Sequence, residues 1–274
     1  MQGYEVTLPG GLSKAGKLYK KAIFKPVTGK VEQTLIEQKS DSNRPDCITG
    51  LLSASLYKIG GFSVDDQLVS ELCVADRKFL LIQLAILLND DLLWLKICCQ
   101  QCHEYFDVDI NRSSLPVKLA DNGFPITTIR LGDNVVVARV PNGNDQSVIH
   151  ELTDDEAMAE LLFNCILSVN DSEVTKAFVN QLSELEIENI DQALDQLAPA
   201  VCDQIQVSCP DCSYQQQVQL DHINLTGIDK IHFYDEIHTL ASQYHWSEAS
   251  ILELPQERRR LYLDLINRSS GYSA

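Results

Sequence analysis

Of the nine cysteines in this 274-residue chain, four fall in two Cys-x-x-Cys turns. Cys99 and Cys102 lie in "ICCQQCHEYFDVDI", and Cys209 and Cys212 in "VSCPDCSYQQQVQL". Placing Cys99 over Cys209 also places Ile97 over Val207, Val108 over Val218 and Ile110 over Leu220, a constant offset of 110 positions. Such a turn points two Sγ atoms and nearby backbone N–H groups to one side, which suits half of a tetrahedral zinc site. Two turns from opposite hairpins supply four thiolates, the closed coordination of a structural zinc ribbon. The spacing therefore predicts Zn2+ held by Cys99, Cys102, Cys209 and Cys212, each half of the chain giving half of the ligands. The 106 residues between Cys102 and Cys209 are far more than a compact ribbon contains, so the metal would fasten distant parts of one fold. Cys98 is a rival for Cys99 but has the wrong spacing to Cys102, and His103 is a substitute ligand. The competing readings are four buried free thiols or a transient redox pair.

A four-thiolate site leaves no open position for water, so it would hold the fold rather than catalyse. Other chemistry is sparse. His232, His238 and His245 share a C-terminal helical block with Asp235 and Glu236, and they are the candidates for a metalloenzyme reading. No His-Glu-x-x-His, nucleophile elbow, P-loop or dinucleotide fingerprint occurs, so hydrogen-bonded, partly buried histidines are the plainer expectation. The balance of 22 basic and 39 acidic residues, a formal charge of −17, repels phosphate and anionic membrane surfaces. That disfavours the remaining alternative, a zinc-ribbon module binding nucleic acid. The opening "MQGYEVTLPGGLSKAG" has no signal-peptide pattern. An odd cysteine count without one argues for a reducing, cytoplasmic setting.

The elements that must position the cysteines follow from periodicity and turn residues. Residues 1–45 are rich in Gly, Pro and Lys, with Lys14, Lys17, Lys20, Lys21, Lys25 and Lys30 in one span. They read as an extended basic arm or hairpin outside the core, able to order on a partner. Residues 46–110 read as helices ending in the first knuckle. Gly60-Gly61 closes the first helix, Ser63 or Asp65 caps the next, and a long buried helix runs from Val74 to Leu93. It is broken by Asn89, Asp90 and Asp91 well before the roughly 18 apolar residues of a membrane span. Residues 111–150 read as a β-rich insert, with "PITTIRL" and "NVVVARV" as strands. Residues 151–274 return to helices, with the second knuckle and about three C-terminal helices, Pro255 opening the last. The expected fold is α+β and mostly helical: two related halves joined by a zinc-ribbon-like pair of Cys-x-x-Cys hairpins, with a β-rich insert.

Several stretches together resemble the baseplate-hub assembly proteins (chaperones) of T-even-like contractile phage tails and related contractile injection systems. They are "ITGLLSASLYKIGGFSVDDQLVSELCVADRKFLLIQLAILL" before the first knuckle, "CPDC" followed by "YDEIHTLASQYHWSEASILELPQERRRLYLDLI", and also "VTLPGGL", "KPVTGKVEQTLIE" and "VARVPNGND". The first knuckle departs from the family's Cys-Pro-x-Cys in having Gln100. The resemblance implies a non-enzymatic structural or assembly protein of the baseplate or hub of a phage tail-like injection particle. Its partners would be baseplate, hub or spike proteins, with no nucleic acid and no membrane insertion. It would be cytoplasmic during assembly or part of the finished particle.

Overall fold

The computed structural model describes residues 3–38, 44–89, 91–221 and 229–269. Among them, eleven α-helices and thirteen strands in five small sheets make a mixed α/β fold. The first sheet starts with the hairpin Glu5–Lys14 and Lys17–Phe24 and adds Leu56–Ile59 and Phe62–Ser63. Leu8, Leu12, Ala22 and Phe24 are at most 1% exposed and pack on Leu51, Leu52, Leu56 and Ile59. The expectation of an arm outside the core is therefore corrected: the segment is a hairpin, and its inner face lines the first core. Alternation in "VTLPGGL" and "KKAIF" puts the apolar side chains inward and leaves lysines at the rim, where Lys14 pairs with Glu71 and Lys21 with Glu5. Lys25 Nζ donates to the carbonyls of Ser53 and Ala54.

A bulge between Thr7 and Leu12 interrupts the hairpin register. It turns the N–H groups of Gly10 and Gly11 onto Asp76 Oδ1 and Oδ2, at 2.8 and 2.7 Å. Asp76 is fully buried in the first turn of helix Val74–Leu88, and burial pushes its carboxyl up against the opposing pull of the two donors. A Cβ on Gly10 would sit 2.9 Å from Asp76 Oδ2 and 2.9 Å from the Phe124 ring, so only glycine fits.

Helix Val74–Leu88 is apolar on most of its circumference because it serves two cores. Leu80, Leu81, Leu84 and Leu88 face the first sheet, whereas Ile82 joins Leu93, Leu115, Val201 and Leu220. It stops at Leu88, short of the expected Leu93. Leu92 and Leu93 pair across to Asn111 and Ile110 as the start of strand Leu92–Cys98, because Asn89 leaves helical backbone and Asp91 Oδ1 accepts the Ser113 N–H at 2.7 Å. Gly60, at φ +58, turns a hairpin between Ile59 and Phe62 instead of closing a helix, which already ends at Ser55. Asp65 is the cap, accepting from Leu68 N–H.

The segment expected as a β-rich insert opens a second unit built like the first. Hairpin Ile126–Leu131 and Asn134–Arg139 takes its third strand, Ile166–Val169, from beyond residue 150. Helices Asp154–Cys165, Lys176–Val179 and Glu184–Leu197 pack around it. After each hairpin, corresponding features lie 110 positions apart. Strand Leu56–Ile59 matches Ile166–Val169, and the caps Asp65 and Cys73 match Thr175 and Ser183. The expected boundary at residue 150 lies between two strands of this one sheet. The units meet where Gly143 N–H donates to Leu72 O and Cys73 bridges to Asn142.

Helices Lys230–Tyr244, Glu248–Leu252 and Gln256–Ser269 form a third cluster around Leu240 and Ile251, docked on Ile36. Pro255 directly precedes the last helix. Arg259 is fully buried there and pairs with Glu32 and, at 3.6 Å, with Glu236.

Replacing Asp76 by Ala leaves two buried N–H groups without an acceptor, and is expected to lower the unfolding free energy by about 3 kcal/mol in urea titrations. Asp76→Asn, which keeps one acceptor, should lose roughly half of that. A loss below about 0.5 kcal/mol for Asp76→Ala would show that the bulge holds without it.

Candidate metal centre

Strands Leu92–Cys98 and Tyr105–Asn111 form one hairpin, and Gln204–Ser208 and Gln215–Gln219 form the other. Their inner faces meet through Leu95, Ile97, Phe106 and Val108 on one side and Ile205, Val207 and Val218 on the other. Each tip is closed in the same way. Cys99 N–H donates to Glu104 O and His103 N–H to Cys99 O. In the second tip Cys209 N–H donates to Tyr214 O and Ser213 N–H to Cys209 O. His103 and Ser213 take the left-handed backbone that each turn needs, at φ 62 and 61.

The two tips bring Cys99, Cys102, Cys209 and Cys212 together, with all four sulfurs within 4.8 Å of one another. Cys99 Sγ lies 3.6 Å from Cys212 Sγ, and Cys102 Sγ lies 3.7 Å from Cys209 Sγ. Disulfide bonds are about 2.05 Å long, so these are free thiols. A tetrahedron with metal–sulfur bonds of about 2.3 Å has edges of about 3.8 Å, which the cross-hairpin contacts match. The donor set thus fits one thiophilic ion, and among the described residues no other group of three or more His, Cys, Asp or Glu side chains is placed to hold one.

Electrostatics point the same way. The N–H of Cys102, and then that of Gln101, aim at Cys99 Sγ and draw its thiol down to about 6. Cys102 moves oppositely, to about 12: the Glu104 N–H lowers it, but desolvation and the neighbouring thiols raise it more. The cluster gives up a first proton easily and further ones reluctantly, because thiolates this close repel. A bound cation removes that repulsion.

Cys98, the rival ligand, is exposed and turns its thiol to the carbonyls of Cys99 and His103. His103 is exposed and outside the cluster. The C-terminal histidines are not gathered. His232 lies on the surface, 3.2 Å from Glu236, and His238 and His245 are also exposed, correcting the expectation of partial burial.

Sequence reasoning missed Gln216. It is buried, accepts the Gln100 N–H through Oε1 at 2.8 Å and donates through Nε2 to Cys98 O at 3.1 Å. One amide thereby ties the second hairpin to the first knuckle. It also accounts for the departure at Gln100: a proline there would have no N–H to give. The only signal in the sequence was a glutamine at an inward strand position, where its neighbours alternate to apolar residues.

The family model described as "T4 bacteriophage base plate protein" matches residues 1–225. That span contains both knuckles and stops before the C-terminal helices, which carried part of the resemblance seen in the sequence. No curated protein and no solved structure matches the chain.

Cys99→Ser and Cys209→Ser, one on each hairpin, should both abolish metal binding when metal per chain is measured after purification under reducing conditions. Retention in either would separate the two tips. Gln216→Ala should keep the site but weaken metal affinity by about tenfold in competition with a chromogenic chelator; an unchanged affinity would remove the amide's positioning role.

Proposed function

The chain belongs to the T4 bacteriophage base plate protein family, and from that membership we propose that it is a non-enzymatic structural or assembly protein at the baseplate hub of a contractile tail-like particle. A structural Zn2+ on Cys99, Cys102, Cys209 and Cys212 completes the proposal. The family match carries the role, and the thiol tetrad carries the metal. Four soft thiolates at tetrahedral spacing select zinc over hard, oxygen-preferring ions. The partners are other baseplate, hub or spike proteins, reached during assembly in the cytoplasm.

The fold suits such a role. Two units and a helical cluster are locked by buried polar ties, namely Asp76 to the glycine bulge, Gln216 to the first knuckle and Arg259 to Glu32. Lysines that the sequence offered as a docking arm, Lys14, Lys21 and Lys25 among them, are engaged within the fold. No helix among the described residues is long and apolar enough to cross a membrane.

Deleting the chain from a particle-producing cell should stop baseplate assembly, read as loss of sedimenting baseplates and tails by electron microscopy, with recovery on resupply of the parent. Normal particles from the deletion strain would sink this reading. Mass spectrometry of purified particles then separates a resident component, present at fixed stoichiometry, from a chaperone that leaves. Zinc at one ion per chain is expected in the parent protein, and chelation should lower its thermal midpoint because the metal contributes folding energy directly.

A further inference from the structure

The two knuckle hairpins share an architecture but differ on their outward faces. On the first, the outward cross-strand rungs are Trp94 with Asp109, Lys96 with Asp107, and Cys98 with Tyr105. The matching rungs of the second, 110 positions on, are Gln204 with Gln219, Gln206 with Gln217, and Ser208 with Gln215. All twelve side chains face solvent. The glutamines satisfy one another: Gln204 Nε2 donates to Gln219 Oε1 at 2.9 Å and Gln206 Nε2 to Gln215 Oε1 at 3.0 Å. The second hairpin thus shows that this scaffold stands with no aromatic on its outer face.

The first hairpin nevertheless leaves Trp94 and Tyr105 each 65% exposed, with Leu92 at 41% next to Trp94 on the same face. Folding does not call for these residues, and tryptophan and tyrosine are the side chains that most often anchor protein interfaces. The charges around them define what they would meet. Asp107 and Asp109 stand on the same strand, and Glu104 is exposed at the tip. Lys96, the cation among them, has its Nζ 5.2 Å from the Tyr105 ring. The face is net acidic, and at −17 overall the chain repels a second copy of itself.

We infer that the outward face of Leu92–Cys98 and Tyr105–Asn111 is a docking surface for a basic segment of a partner protein. Its apolar anchor covers Trp94 and Tyr105, and its arginine or lysine side chains pair with Asp107 and Asp109. This rests on the baseplate reading and names the surface through which the chain meets another baseplate protein.

The test uses the cell lacking the chain, resupplied with full-length variants. Trp94→Gln/Tyr105→Gln installs the residues found at the matching positions of the second hairpin, and Asp107→Lys/Asp109→Lys reverses the charge. Gln204→Ala/Gln206→Ala is the control on the sister face. Metal content and urea midpoint are measured for each, so that a folding defect is seen directly. The inference expects parent-like metal and stability throughout. It also expects roughly tenfold or greater loss of sedimenting baseplates for the first two variants and none for the control. Parent-like baseplate yield with Trp94→Gln/Tyr105→Gln would overturn the docking surface while leaving the baseplate role intact. Equal loss in the control would overturn it too. Concentration-dependent dimers of the purified parent, abolished by Trp94→Gln/Tyr105→Gln, would replace the basic partner with a second copy. Normal assembly without the chain would overturn both readings.

Discussion

Four sulfurs from hairpins 110 positions apart, all within 4.8 Å of one another, are the constraint on which the rest of the structure turns. Thiols at that spacing are stable as neutral groups or around a cation, and unstable as bare thiolates. For the sulfurs to meet, the hairpins must approach with their apolar faces inward, so Ile97 and Phe106 bury against Val207. Helix Val74–Leu88 then has to serve the first core and this junction together, which is why it is apolar nearly all round.

The approach of the hairpins also explains why buried polar groups sit where they do. Gln216 occupies an inward position that would ordinarily hold an apolar residue, as the matching place of the first hairpin does with Phe106. Its amide satisfies a knuckle N–H and a carbonyl that no strand partner reaches. Asp76 answers the same need at the glycine bulge, and Arg259 ties the C-terminal helices to Glu32 across the chain. In each case one buried side chain bridges segments far apart in sequence. Such ties add specificity of arrangement as well as energy, because a misplaced neighbour leaves a buried charge or donor unpaired.

Two copies of one plan allow the halves to diverge without loss of the shared scaffold. The second knuckle keeps Pro210 and a self-satisfied glutamine face. The first trades that proline for a donor and presents Trp94, Tyr105 and acidic residues to solvent. The change at Gln100 serves a buried hydrogen bond, whereas Trp94 and Tyr105 stand exposed on the outward face, and that face is where interaction with other molecules is to be sought.

By itself the sequence determined the two Cys-x-x-Cys pairs, the turn at each knuckle and most of the helical runs, because each depends on residues close together in the chain. Between Ser63 and Asp65 as a cap it left the choice open, and the structure uses Asp65. The sequence placed the opening hairpin outside the core, since lysine count says little about burial when every second side chain of a strand points inward. It also carried the long helix past Asn89, where leucines fit a helix and a strand equally well and only pairing with Asn111 and Ile110 decides between them. Only the tertiary structure decided that Gln216 supports the first knuckle, that residues 126–139 join Ile166–Val169 in one sheet, and that Cys98 turns away from the tetrad. Those outcomes depend on contacts between distant segments, and no local pattern encodes which buried donor will find which acceptor.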